Sequence, residues 1–411
     1  MIIFRLFIIS VLTIIAYFFL TQFFFCTQYT FKSSTSFKGK TLYNPYDSLR
    51  SGNWLKCNFH AHANAWKGIT NGKGTAEEIH HAYDSLHYDV HCISNYHSID
   101  STSINSQIYI PAYEHGYNIS KTHQLVLGDK KVCWLDYILP QTLSNKQDVL
   151  NYLATDTQSL VILNHPKIRN GYRCQDFSYL SNYHCMEVLN PAGNSFLQWD
   201  AALSAGKPIF IVGDDDLHNI ISKDRLGRMC TYVNVKERNQ HQVLHALKKG
   251  RGFGVIIGPT QHPDSIPMLN YLVLKKDTIQ LQMNTKASTI SFTGQNGQIL
   301  ASFSQTANAK YVIREKDHYA RASIDYPNGT SIYLNPVFYT NSTNLAQTAV
   351  YPNIRTTLIY RTIGFSFAGF WLFGVFVFIQ GKRTIYITLP FNPDSMLKKR
   401  FKKRNKPTLL T

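Results

Sequence analysis

The run from Leu6 to Phe25, LFIISVLTIIAYFFLTQFFF, carries no charged residue. A helix of that length crosses a hydrocarbon layer of roughly 30 Å, so whatever else the chain folds into must hang from a membrane-directed segment. A cleavable signal ends in small residues, whereas Phe23, Phe24 and Phe25 lead here into Cys26 and Thr27. The pattern reads as an uncleaved anchor over 1–28. A second apolar run, Ile363 to Ile379, is near the lower limit for a span. Thr357 to Tyr360 extend it if Arg361 snorkels, which gives a transmembrane helix over 356–380; the alternative is a buried core helix.

Charge sets the orientation. The chain carries a net +17, and its tail over 381–411 places nine lysines and arginines against the single Asp394. Clustered positive charge beside a span marks the cytoplasmic side, and Arg5 fits the same side. The expectation is an inner (cytoplasmic) membrane protein with two spans, both termini cytoplasmic and the middle facing the periplasm or exterior. The tail has no aromatic interleaving beyond Phe401, so it reads as a topology signal and no nucleic acid partner is expected.

Between the apolar runs lies enough chain for two folded units, after a linker over 29–52. From 53 to 260, short apolar runs alternate with helix-like stretches, as in an α/β domain. Thr75 and Glu78 form a possible capping box for a helix through Leu86. From 261 to 352 the runs alternate apolar and polar residues and are separated by Asn-Gly turn signals, which predicts a small β-sandwich. Cys57, Cys92 and Cys185 fall in strand-like runs as small buried hydrophobes. Cys133, Cys174 and Cys230 could pair outside the cytoplasm, with connectivity open.

The chemistry lies at the strand ends. His60 and His62 (NFHAHAN) close the first apolar run two residues apart, and alternate residues of a strand share a face. Taken alone, His-x-His is as compatible with two surface histidines as with a metal site. Further runs also end, or begin, in a ligand type: His97 after HCISNY, Glu114 after IYIPAY, His123 before QLVLG, His165 after LVILN, and Asp216 with His218 after PIFIVGD. Side chains at the carboxyl ends of neighbouring parallel strands converge on one mouth. Mixed imidazole and carboxylate ligands suit zinc, manganese or ferrous ions.

The segments NFHAH, ISNYH, IPAYEHG, THQLVLG, LNHPK, CMEVLN and VGDDDLH, in that order, resemble the motifs of the polymerase and histidinol phosphatase (PHP) superfamily. With LKKGRGFG and YPNGTSIYLNPVF further on, the chain is most similar to the carbaryl-hydrolase-type (CehA/McbA) branch. The resemblance implies a distorted (β/α)7 barrel over 53–260 with two, possibly three, divalent metal ions. It implies that His60, His62, Glu114 and Asp216 hold one ion. Glu114 would bridge to a second on His123 and His165, with His97 and His218 at a third. Relatives usually carry a further Asp or His ligand where this chain has Trp66, Lys67 and Gly68, and an Asp where it has Tyr96. A protonated lysine cannot ligate, so Lys67 either contacts a substrate phosphate or is solvated. Asp214 and Asp215 either orient ligands, deprotonate water or balance charge.

The chain has no GxSxG elbow and no P-loop, which leaves hydrolysis by a metal-activated water. The first expectation is a membrane-anchored phosphoesterase acting on a phosphorylated or lipid-linked small substrate. The alternatives are a metal-dependent carbamate, amide or ester hydrolase, and a non-catalytic PHP-like membrane scaffold or binding protein.

Overall fold

The structure is a computed structural model. It describes residues 2–380 except 48, 50–52, 222–224, 343, 344, 346 and 348; the basic tail lies outside the described residues. Cys26–Ile354 forms one compact unit, and the terminal helices belong to another.

Helix α1 (Ile2–Leu20) runs on through a π-helical turn, Thr21–Phe25. Two threonine hydroxyls bond back along this run, Thr13 Oγ1 donating to the Ile9 carbonyl at 2.7 Å and Thr21 Oγ1 to that of Tyr17 at 2.8 Å. Polar groups satisfied in this way are compatible with an apolar surrounding.

In the Cys26–Ile354 unit, strand β1 (Trp54–Asn58) is followed by α2 (Ala76–Ser85) and pairs in parallel with β2 (Val90–His91). Thr75 and Glu78 do form the capping box. Tyr96, just past β2, bridges in parallel to Glu114 in β3 (Ala112–His115). Strand β4 (Gln124–Leu127) runs antiparallel to β3 and, on its other edge, to β5 (Leu160–Leu163), with α3 (Leu143–Leu153) between them in sequence. Strands β6 (Cys185–Leu189) and β7 (Phe210–Gly213), joined by α4 (Phe196–Ser204), continue in parallel. Leu217 beyond β7 bridges back in parallel to Ala61 beyond β1. Seven strands therefore follow one another in a circuit whose two sheets meet through these single bridges. All residues of β5 and β7 (LVIL and FIVG) are buried, so they read as continuous apolar runs, the pattern of strands covered on both faces.

The other edge of β1 takes β8 (Met229–Asn234) antiparallel. After α5 (Gln240–Lys248), strand β9 (Gly252–Ile256) pairs with β8. Strands β10 (Leu269–Lys275), β11 (Thr278–Thr293), β12 (Ile299–Val312), β13 (Tyr319–Asp325), β14 (Ser331–Leu334) and β15 (Val337–Thr340) follow as an antiparallel set. Asn296 and Gly297 connect β11 to β12 with φ of 57° and 74°, the left-handed backbone that an Asn-Gly turn supplies cheaply. The sheet does not stop at 260: β14 pairs with β9, so the β-rich segment continues the sheet that starts at β1. The reason lies in β9, whose FGVI core is apolar and needs partners on both edges. At the unit's boundary, Tyr29–Thr30 pairs antiparallel with Tyr351–Pro352.

Helix α6 (Ile354–Gln380) completes the terminal pair. Its Phe367 and Phe365 rings lie 5.4 and 5.0 Å from those of Phe24 and Phe25, and Arg361 Nε donates to the Phe25 carbonyl at 3.3 Å. Gly364 permits this approach, since a Cβ there would meet Phe24 Cβ at 2.7 Å. Both helices are long and apolar enough to cross a membrane, with mean hydropathy 2.4 and 2.0. None of the seven cysteines is disulfide-bonded; Cys133 and Cys230 are buried and Cys174 is exposed.

Candidate metal centre

His60 and His62 leave β1 with both imidazoles buried. Their Nε2 atoms lie 3.1 Å apart. Glu114 Oε2 is 3.4 Å from His60 Nε2 and 3.1 Å from His62 Nε2, and Asp216 Oδ1 is 3.3 and 3.7 Å from the same two atoms. Four ligands about 2.0 to 2.1 Å from one tetrahedral ion are separated by about 3.3 Å. The five measured edges straddle that value. Glu114 Oε2 and Asp216 Oδ1 are also buried without a hydrogen-bond partner, a costly arrangement for a carboxylate oxygen unless a cation lies beside it. The residues fit a divalent ion by geometry and by donor chemistry.

Glu114 faces a second group with its other oxygen. Oε1 lies 2.8 Å from His123 Nδ1 and 3.2 Å from His165 Nε2. The carboxylate thus turns one oxygen to each of two ligand groups, His60 with His62 and His123 with His165. A third grouping, His62, Asp216 and His218, shares its first two members with the first.

Neighbouring side chains fix these ligands. Glu187 accepts at Oε1 from His60 Nδ1 at 3.1 Å and from Asn190 Nδ2 at 3.0 Å, and at Oε2 from the His165 amide at 2.8 Å. Asn190 also donates to Asp216 Oδ2 at 3.2 Å, and Asn164 donates to Glu114 Oε1 at 3.1 Å. Carboxylates behind ligand imidazoles set ring orientation and raise basicity. His165 (φ 29°) and Asp216 (φ 45°) are held in left-handed backbone, a cost of order 1 to 3 kcal/mol each that the surrounding contacts must offset.

The electrostatics follow from burial against opposite charge. Burial pushes the Glu114 and Asp216 carboxyls up, but the imidazoles outweigh it, holding Glu114 well below its usual range and Asp216 at about 2. Burial likewise opposes a charged His60, yet Asp216, Glu187 and Glu114 keep its pKa well above the ordinary histidine value. His123, where burial dominates, is pushed down to about 4. Protons and a metal ion thus compete for this cluster.

The other expected site residues lie as follows. His97 joins none of the three groupings: Nδ1 donates to the Cys133 carbonyl at 2.8 Å and Nε2 accepts from the Gly116 amide at 3.1 Å, so both nitrogens are engaged by backbone. Tyr96 stacks on His62 with ring centres 4.7 Å apart. Lys67 is exposed in a 3-10 turn, Trp66–Gly68. Asp215 accepts from the amides of Gly227, Arg228 and Met229 and from the Tyr83 hydroxyl, which makes it the anchor of that loop. Asp214 accepts from the Phe59 amide at 2.6 Å, and its other oxygen is buried without a partner.

A cavity of about 400 Å³ opens beside the cluster, lined in part by His165, Asp216 and His218. Two cations on its wall were not singled out from sequence, Lys121 and Arg225. Glu187 was also missed. Its signal was available, a lone carboxylate inside the apolar strand CMEVL.

Fold and site together define a mixed α/β chain with a buried imidazole and carboxylate cluster of metal-ligating geometry. No family model matches the chain, and no curated protein matches it. Two solved structures align with it. One is a two-domain protein containing predicted PHP-like metal-dependent phosphoesterase from Bacteroides vulgatus ATCC 8482, at 14% identity and a TM-score of 0.39, covering 76% of this chain and 92% of that one. The other is PsfC from Pseudomonas syringae PB-5123, at 14% identity and a TM-score of 0.34, covering 47% of this chain and 87% of that one.

Proposed function

We propose that this chain is a membrane-anchored, metal-dependent phosphoesterase of the PHP type, closest to the CehA/McbA branch, whose seven-strand circuit is the distorted barrel that such a reading requires. The observation that carries it is Glu114, with one oxygen among His60, His62 and Asp216 and the other between His123 and His165. Zinc, manganese or ferrous ions bound there would supply Lewis acidity toward a phosphoryl oxygen and toward water. Two ions suit the chain better than three, because both His97 nitrogens already bond to backbone.

The protein's own groups account for the rest. Glu187, Asn190 and Asn164 hold the ligands, so little reorganisation is needed when charge develops. His218 Nδ1 donates to the Asp216 carbonyl at 2.8 Å, which leaves its Nε2 to pass a proton at the cavity wall. The apolar helices would anchor the unit to the inner membrane with its cavity outside the cytoplasm.

The test uses the detergent-solubilised full chain. Elemental analysis should find about two divalent ions per chain, and the loaded protein should hydrolyse p-nitrophenyl phosphate or bis-p-nitrophenyl phosphate. Turnover of aryl carbamates or esters in their place would assign carbonyl hydrolysis. A preparation without stoichiometric metal under replete conditions would leave only a scaffold.

A further inference from the structure

The metal-facing cavity is small for a ligand site and its wall is charged. At about 400 Å³ it stands near the lower end of the 300 to 1,000 Å³ usual for such sites. Apart from Ile168, Ala192 and Leu217 its lining is polar or ionisable. Lys121 lies in the loop between β3 and β4, in left-handed backbone at φ 58°, two residues before His123. Its Nζ lies 3.4 Å from the Tyr96 hydroxyl and 5.4 Å from the centre of that ring, which stacks on His62. Among the described residues Lys121 has no carboxylate partner within salt-bridge distance. Arg225 lies on the same wall, 3.7 Å from Asp216 Oδ2, with 38% of its side chain exposed and most of its five donors uncommitted.

We infer that Lys121 and Arg225 form an anion clamp beside the metal pair, and that the substrate is a small, polar phosphate monoester carrying two negative charges. The inference rests on the metal-dependent reading and narrows it. Glu114, Asp216 and the Glu187 carboxylate behind His60 bring three negative charges against the four of two divalent ions, and Lys121 and Arg225 raise the positive surplus to three. A dianion offsets two of those charges. A diester brings one negative charge and a second organic arm, and a neutral carbamate brings none, so each leaves partly desolvated cations uncompensated. The limited volume disfavours a long lipid chain inside the cavity. Tyr96 positions Lys121, holding the ammonium at the cavity edge through its hydroxyl and ring face.

The experiment compares the metal-loaded full chain with Lys121→Met, Lys121→Arg and Arg225→Met. Metal content is measured first, then binding of inorganic phosphate by calorimetry, then the KM and kcat for p-nitrophenyl phosphate and for bis-p-nitrophenyl phosphate. A charged hydrogen bond is worth about tenfold to a hundredfold in affinity. Lys121→Met should weaken phosphate binding and raise the monoester KM by that factor with metal content unchanged. Diester turnover should change less than about threefold, and Lys121→Arg should recover part of the loss. Unchanged phosphate affinity in both methionine variants would overturn the clamp, as would equal losses on monoester and diester. Absence of metal in the wild-type chain would sink the hydrolase reading itself, a separate outcome read from the elemental analysis.

Discussion

The Nδ1 atoms of His80 and His91 lie 2.7 Å apart, and each ring turns its Nε2 to a carboxylate, His80 to Asp100 at 3.2 Å and His91 to Asp84 at 2.8 Å. The two rings thus link Asp100 to Asp84 through one chain of hydrogen bonds. Burial raises the Asp100 carboxyl, but hydrogen bonds from His80 and Thr102 outweigh it and hold it below its usual range. A depressed carboxyl contributes stability that is present above its unfolded value near 4 and lost as pH falls through the folded value. His80→Leu should therefore cost about 1 to 2 kcal/mol at neutral pH, with the gap to wild type closing below roughly pH 4. Urea denaturation of the detergent-solubilised chain across pH reads this directly, and a pH-independent gap would count against it.

Glu114→Gln should lose both ions, because the neutral amide removes the anionic oxygen from each ligand group at once. His123→Ala removes a ligand from one group only and should retain about half the metal. Elemental analysis after gel filtration distinguishes them. Chelation should lower the wild-type melting temperature, since ions that bind only the folded state stabilise it, and should leave Glu114→Gln nearly unmoved.

Lys207 is buried before β7, and its Nζ lacks a hydrogen-bond partner. Burial pushes its pKa down to about 8. For a depressed base the sign is the reverse of the Asp100 case: the cost is present in full below the folded value and disappears as pH rises through the unfolded value near 10.4. Lys207→Met should raise stability by about 2 kcal/mol at pH 7 and by progressively less between roughly pH 8 and 10. Thermal melts at both ends of that range check it; a gain that persists at high pH would point to packing alone.

Asp215 gathers three consecutive amides and the Tyr83 hydroxyl. Asp215→Ala should cost about 3 kcal/mol or more by leaving those donors buried and unpaired, and Tyr83→Phe about 1 kcal/mol. Metal content per folded molecule should survive Tyr83→Phe, as expected of an anchor that does not touch the ions.

Much of the site was legible because it obeys a rule of position. His60, His62, Glu114, His165 and Asp216 mark the end of an apolar run and His123 the start of one, and these strand ends meet in one cluster. His97 obeys the same rule, yet both its nitrogens bond to backbone, a fact set by the loops around Gly116 and Cys133 that no local pattern encodes. Lys121 and Arg225 escaped for a related reason. Lys121 reaches the cavity from a left-handed turn and Arg225 from the loop after β7, so neither spacing nor periodicity points to them. In the fold, Thr75 with Glu78 and the Asn296-Gly297 turn announced themselves, since capping and left-handed turns depend on a few adjacent residues. The pairing of β9 with β14 joins residues about eighty positions apart, and apolarity alone could say only that β9 needed a neighbour.

The short ribbon of Tyr29–Thr30 against Tyr351–Pro352 has a mechanical corollary. Both ends of the central unit leave through it, and just outside it the Asn353 amide donates to the Gln28 carbonyl at 2.7 Å, so a pull that parts the flanks meets these main-chain bonds one after another. Every strand that bears a ligand lies between the two halves of that clasp in sequence, so parting it need not break any of the ladders that space the imidazoles.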